Sequence, residues 1–297
     1  MEQPGAASRS MVFVSCKREK HYSREVILPW HALVCVLSGE MRVASADRLF
    51  IFHAGDIVLL PRNQLGRMSK VPLNGELFKS ISICFPQEAL QKYYSALPQV
   101  HVIPAGPDVK YFNQHPLLQS LFGSLLPYFE TADDLPEEIA NIKTTEAIAV
   151  LRSIDKSVDN LLGNFEGPGK IDLADFMEKN YMFNLTAAKF GYLTGRSLTT
   201  FKRDFKKAFG NTPEKWLTKK RLETAHYQIV EQKRKPSEVY FEVGFENLSH
   251  FSYAFKKQFG YNPTLSKTKR ALGLLEGKLK VEFKSDFKMS DEELLKS

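Results

Sequence analysis

The segment SLTTFKRDFKKAFGNTP, residues 197–213, recurs fifty positions downstream as NLSHFSYAFKKQFGYNP, residues 247–263. Leu198, Phe201, Phe205, Lys206, Lys207, Phe209, Gly210 and Pro213 stand over Leu248, Phe251, Phe255, Lys256, Lys257, Phe259, Gly260 and Pro263. A duplication at this spacing requires one supersecondary unit built twice. Leu, Phe and Phe at steps of three and four form one apolar helix face, while Gly closes each helix and Pro opens the next segment. Each copy is therefore expected to be a helix with a buried stripe and a polar opposite side.

Another short helical segment precedes each copy, LTAAKFGYLTG before the first and PSEVYFEVGFE before the second. A short helix, a glycine-containing turn and a second helix make a helix-turn-helix. Between the two units, PEKWLTKKRLETAHYQIVEQ (213–232) reads as a longer helix with Trp216, Leu217, Leu222, Ala225 and Ile229 as its buried positions. Such a helix would hold the units in fixed relation, and two reading helices about 34 Å apart would meet successive major grooves of one duplex. Charge points the same way. Residues 171–267 hold seventeen Lys and Arg against ten Asp and Glu, whereas the chain before them has seventeen against eighteen and the chain after them seven against six. The whole +7 excess lies in one segment, as phosphate binding with counterion release requires.

Ahead of that segment the pattern changes. MVFVSC, ALVCVLSG, EMRVAS, RLFIF, DIVLLP and KSISICF are short apolar runs separated by turn residues, the signature of an antiparallel sandwich or barrel. From residue 88 to about 165, HPLLQSLFGSLLPYFE and PEEIANIKTTEAIAVLRSIDKSVDNLLGNF carry three- and four-residue spacings that predict two amphipathic helices. Pro136 followed by Glu137 and Glu138 suits a helix start. GNFEGPGK is the linker candidate. The expected organisation is a β-rich domain at 1–88, a helical arm at 89–162, a linker at 163–170, a double helix-turn-helix at 171–267 and a charged tail at 268–297, in which SDEELLKS has the makings of one short helix.

The sequence EVGFENLSHFSYAFKKQFGYNP, with its GF turn, aromatic-centred helix, FKK and G-x-x-P, closely resembles the AraC/XylS family of transcription regulators, and the resemblance covers residues 171 to about 267. It implies a bipartite domain of about seven helices that recognises double-stranded promoter DNA. On its positions Thr199, Lys202 and Arg203 in the first recognition helix and Ser249, His250 and Tyr253 in the second would face bases. Arg203 and Lys202 suit guanine O6 and N7, and Thr199 suits a thymine methyl. Tyr253 stands where many relatives have Arg, which argues against strong guanine reading by the second helix. Arg196, Thr200, Lys206, Lys207, Lys256 and Lys257 are expected at phosphates, which give affinity without sequence choice.

The N-terminal half resembles the cupin-like sensor and helical dimerisation arm found upstream of this module in many members. Its domain order and helical pattern look similar to the branch controlling type III secretion. The implied fold class is multi-domain α+β: a cupin-like β-barrel or sandwich with a helical dimerisation arm, then an all-α double helix-turn-helix. The implied assembly is a homodimer, controlled by an effector that is either a small molecule or a protein, and in contact with RNA polymerase if the output is activation. The stripe Leu117, Leu118, Leu121, Leu125, Ile142, Ala147, Val150, Leu151 and Ile154 is more often a packed core than an interface, although paired helices of this length can serve as both.

Other classes are weighed against this reading. A metal-dependent cupin oxygenase or isomerase would need clustered ligands, but His31, Glu40 and His53 read as isolated and no H-x-H occurs. There is no nucleophile elbow or phosphate-cradling glycine loop, so neither metal, cofactor nor enzymatic activity is expected. Cys16, Cys35 and Cys84 lack ligand spacing and sit in or beside apolar runs, so buried free thiols are expected. With 43% hydrophobic and 25% charged residues, no run near 18 apolar residues and no apolar leader, the expected location is the cytoplasm, away from membranes.

Overall fold

The computed structural model describes residues 11–264, except 20, 99, 101, 104–107, 113 and 132–134. The expected tail, with its short helix, lies outside the described residues. The chain divides between Lys170 and Ile171 into two compact units, with Leu193–Gly195 clustering in the first.

The first unit is built on two antiparallel sheets. Strands β1 (Val12–Lys17), β8 (Phe78–Phe85), β3 (His31–Ser38), β6 (Ile57–Leu60) and β9 (Lys110–Tyr111) form a five-stranded sheet in the order β1-β8-β3-β6-β9. Strands β2 (His21–Ile27), β7 (Leu65–Val71), β4 (Glu40–Ala44) and β5 (Leu49–His53) form a four-stranded sheet in the order β2-β7-β4-β5. Ala32, Val34, Val36, Val58, Leu60 and Phe78 meet Met41 and Phe52 of the four-stranded sheet in one core. On the other face of the larger sheet, Leu33, Cys35, Leu59, Ile81 and Ile83 pack with Leu118, Leu121, Ala147 and Leu151 of the helices. This double covering explains why HALVCVLS is apolar at consecutive positions: alternate side chains point to opposite faces, and both faces are buried.

Strands β2 and β7 are absent from the strand runs read in the sequence. HYSREVI and LGRMSKV have no continuous apolar run, and their pairing to each other supplies the order that composition conceals. The helical region is also more divided than its periodicity implies. Helix α1 (Gln87–Ser95) buries Leu90 fully and Tyr93 and Tyr94 partly against the core, and is not among the expected helices. The first expected helix breaks into α2 (Pro116–Gly123) and α3 (Leu126–Thr131), because Pro127 has no N–H to continue the ladder. Helix α4 (Glu137–Ile154) begins after Pro136 with Glu137 and Glu138 in its first turn. It ends at Asp155, whose carboxylate accepts the Ser157 N–H at 2.8 Å and the Lys110 ammonium at 2.8 Å. That competing hydrogen bond turns the chain into a 3₁₀ turn and α5 (Asp159–Leu162).

The helices share the larger sheet's core. Within the apolar stripe, Leu118, Leu121, Leu125, Ala147 and Leu151 are buried in that core, Val150 and Ile154 pack partly against it, and Leu117 and Ile142 are exposed. The linker candidate holds neither helix nor strand, and Arg62 donates to its Asn164 carbonyl at 2.8 Å. Of the thiols, Cys35 and Cys84 are buried, but Cys16 is exposed, a correction to the expectation of three buried cysteines. It lies near the end of the edge strand β1, in which Phe13 and Cys16 are the exposed positions.

The histidine expectation also needs correction. Glu40 and His53 are partners across β4 and β5, with His53 Nε2 3.5 Å from Glu40 Oε2, and Arg42 pairs with the same carboxylate. Linear separation hides a cross-strand pair, since residues thirteen apart meet only through the hairpin. Among the described residues no three His, Cys, Asp or Glu side chains are grouped to hold a metal ion, and no helix is long and apolar enough to cross a membrane.

Candidate nucleic-acid interface

The second unit contains six helices among its described residues: α6 (Leu173–Asn180), α7 (Ala187–Leu193), α8 (Leu198–Phe209), α9 (Pro213–Val230), α10 (Pro236–Glu242) and α11 (Leu248–Phe259). Helices α7 and α8, and again α10 and α11, are the two helix-turn-helix pairs. The duplication extends to their terminal chemistry. Ser197 accepts the Thr200 N–H and Asn247 accepts the His250 N–H, so both copies begin with a side-chain cap on the third helical residue. Both end at a left-handed glycine, Gly210 (φ 67°) or Gly260 (φ 83°), whose N–H returns to the carbonyl of Lys206 or Lys256.

Each copy has its own aromatic core, and α9 serves both. Phe201 and Phe205 are fully buried with Met177, Phe190 and Leu217, and Trp216 lies 5.6 Å from Phe205 and 4.5 Å from Phe209. Phe251 and Phe255 are fully buried with Leu222, Ala225, Ile229 and Val239. There His226 takes the place of the indole, 4.4 Å from Phe259; burial lowers its pKa, so the ring packs as a neutral aromatic. The third member of each apolar stripe is Phe209 or Phe259, partly buried. Leu198 and Leu248 do not join it: they sit in the first turn, 42% and 40% exposed.

With the phenylalanines turned inward, the opposite sides of α8 and α11 face solvent. Thr199, Lys202 and Arg203 are exposed on α8, and Ser249, His250 and Tyr253 on α11, with Tyr253 the most open at 69%. Arg203 stands 3.4 Å from Asp204 with its own side chain 75% exposed, a pairing too open to hold it. Lys206, Lys207, Lys256 and Lys257 are exposed in the last turns of the two helices. There they oppose the negative end of the helix dipole.

Two of the expected phosphate groups are differently engaged. Arg196 has a side chain only 7% exposed; its Nε donates to Asp204 Oδ2 at 3.2 Å and its guanidinium also donates to the Ile171 carbonyl at 3.0 Å. It braces the turn before α8. Thr200 is half-buried with its hydroxyl 3.0 Å from that of Ser197, part of the helix cap. Sequence position alone does not show these contacts, since a basic or hydroxyl residue beside a helix looks the same whichever way it turns.

Known proteins resemble both units. The family model of a helix-turn-helix domain matches residues 193–268, and that of the ExsA N-terminal regulatory domain matches residues 31–159. The virulence regulon transcriptional activator VirF of Yersinia enterocolitica is 23% identical over 244 residues, covering 78% of this chain and 87% of that protein. The HTH-type transcriptional regulator ExsA of Pseudomonas aeruginosa is 24% identical over 235 residues, covering 78% and 84%. Among solved structures, an apo single-residue variant of ToxT from Vibrio cholerae aligns over 86% of this chain and 96% of its own, with 14% identity and a TM-score of 0.43. The chain thus joins an AraC-type helix-turn-helix domain to an ExsA-type N-terminal regulatory domain and is homologous to the transcription regulators VirF and ExsA.

Proposed function

We propose that this regulator is an activator that binds specific promoter sequences by inserting α8 and α11 into successive major grooves of one duplex. The observation that carries the reading is the repeated helix itself: equivalent caps, a buried pair of phenylalanines, and an exposed polar side on each copy. Thr199, Lys202 and Arg203 read bases from α8, and Ser249, His250 and Tyr253 from α11. Lys206, Lys207, Lys256 and Lys257 contact phosphates and set register. Relatives named as transcriptional activators support the direction of the output, and activation in turn implies contact with RNA polymerase.

The same reading places the protein in the cytoplasm as a homodimer without cofactor or enzymatic activity, controlled through its N-terminal unit by a small molecule or a protein. The domain limits 1–88, 89–162, 163–170, 171–267 and 268–297 belong to this proposal.

The test is selection of duplexes from a random-sequence library by the full chain, followed by competition against random DNA at physiological salt. A specificity ratio of about 10³ or more is expected, and Arg203→Ala should relax preference at one base position at a cost of about 1–3 kcal/mol. Equal affinity for selected and random duplexes would reduce the protein to a non-specific binder.

A further inference from the structure

Helix α9 is not the only link between the two reading helices. Arg221, in its middle, reaches both halves of the unit. Its Nε donates to the Tyr181 carbonyl at 2.8 Å and one terminal nitrogen to the Phe183 carbonyl at 2.7 Å, both in the loop between α6 and α7. The other terminal nitrogen donates to the Gly244 carbonyl at 3.3 Å, in the turn that delivers α11.

That turn also touches the loop directly. Gly244 has φ 93°, and a Cβ built there would stand 2.6 Å from the Met182 carbonyl oxygen, so only glycine permits the approach. Asn184 Nδ2 donates to Glu246 Oε1 at 2.9 Å, one residue before the Asn247 cap of α11. The Tyr181 hydroxyl lies 2.7 Å from the Thr224 hydroxyl on α9. Without these contacts α11 would be joined to the first helix-turn-helix through α9 alone, against which its Phe251 and Phe255 pack. With them, its entry is seated on the first helix-turn-helix.

We propose that Arg221 is a positioning residue that fixes which separation of half-sites the protein accepts. This rests on the two-helix reading above. Successive major grooves recur about every 10–10.5 base pairs, and one added pair moves the second half-site about 3.4 Å along the axis and turns it by roughly a tenth of a revolution. An α11 seated on both α9 and the loop between α6 and α7 cannot follow that shift, whereas one packed on α9 alone has more freedom to do so. Arginine is needed because its planar fork presents separate donors to three carbonyls on two segments; a lysine ammonium is a point donor and cannot bridge them.

The experiment uses the full chain and a duplex selected from a random library, together with versions carrying one base pair more or fewer between the half-sites and one retaining only the α8 half-site. The wild type should lose about tenfold or more in affinity on either spacing change. Arg221→Lys should cut that penalty to about threefold or less, while its affinity for the single half-site stays within about twofold. A generally damaged domain would instead weaken on every duplex alike.

An unchanged spacing penalty in folded Arg221→Lys overturns the proposal. Should that variant fail to fold by circular dichroism, Asn184→Ala with Glu246→Ala, the first half-buried and the second exposed, reads the same quantity: a reduced penalty supports the clamp and an unchanged one overturns it. A wild type indifferent to spacing would refute the two-helix reading itself, an outcome separate from the failure of Arg221.

Discussion

Arg196→Ala separates bracing from DNA contact. The guanidinium is 7% exposed, its partner Asp204 is 24% exposed, and a further donor is committed to the Ile171 carbonyl. Removing one member of a buried pair costs about 3–5 kcal/mol; because Asp204 retains some water, the effect falls at or just below the lower end, about 2–3 kcal/mol. With a urea dependence of about 1–3 kcal/mol per molar, the unfolding midpoint of the DNA-binding unit should fall by about 0.7–3 M. DNA binding, measured well below that midpoint, should keep its dependence on salt, since each lost phosphate contact would lower the slope of log K against log salt by about 0.9. An unmoved midpoint together with a slope smaller by about one unit would refute the assignment and return Arg196 to the phosphates.

Lys206→Ala should do the reverse: binding to selected and random duplexes weakens alike and the salt slope drops by about 0.9, with the midpoint nearly unchanged; a loss confined to the selected sequence would contradict it. Phe205→Ala and Phe255→Ala should each cost about 3–5 kcal/mol in denaturant unfolding, because both rings are fully buried in equivalent aromatic cores; a cost under about 1 kcal/mol at either site would deny the equivalence. His31 is buried beside Arg62, and burial, aided by that positive charge, holds its pKa down at about 3. Below about pH 6.5 the unfolded chain protonates here while the folded one does not, so stability is full above that pH and declines toward pH 3 by up to about 1.4 kcal/mol per unit from this group. His31→Gln should flatten that part of the pH profile, and an identical profile in wild type and variant would exclude it.

The DNA-binding unit is readable in the sequence because its signal is local and doubled. Phe201 and Phe205, and again Phe251 and Phe255, lie within one helix, and the glycine that ends each is a few residues away. The β-sandwich is readable where strands are buried on both faces, as in HALVCVLS, and unreadable in HYSREVI and LGRMSKV, whose identity as strands depends on partners far apart in the chain. The same limit applies to the interface. Sequence spacing places Thr199, Lys202 and Arg203 on one polar side, but the inward turn of Arg196 depends on Asp204 and the Ile171 carbonyl. The pairing of Glu40 with His53 depends on a hairpin. The reach of Arg221 depends on loops forty and twenty-three residues away. No one-dimensional pattern carries those.

The unequal fates of the three sulfurs have a practical consequence. Burial pushes the Cys35 thiol up to about 11, with Asp56 adding to the effect, and the Cys84 thiol up to about 12, so at neutral pH neither offers the thiolate that alkylating reagents attack. Cys16, exposed on an outer strand, is left as the one ready attachment point among them. A maleimide dye would therefore mark the regulatory unit at a single known position without any cysteine being engineered in or out.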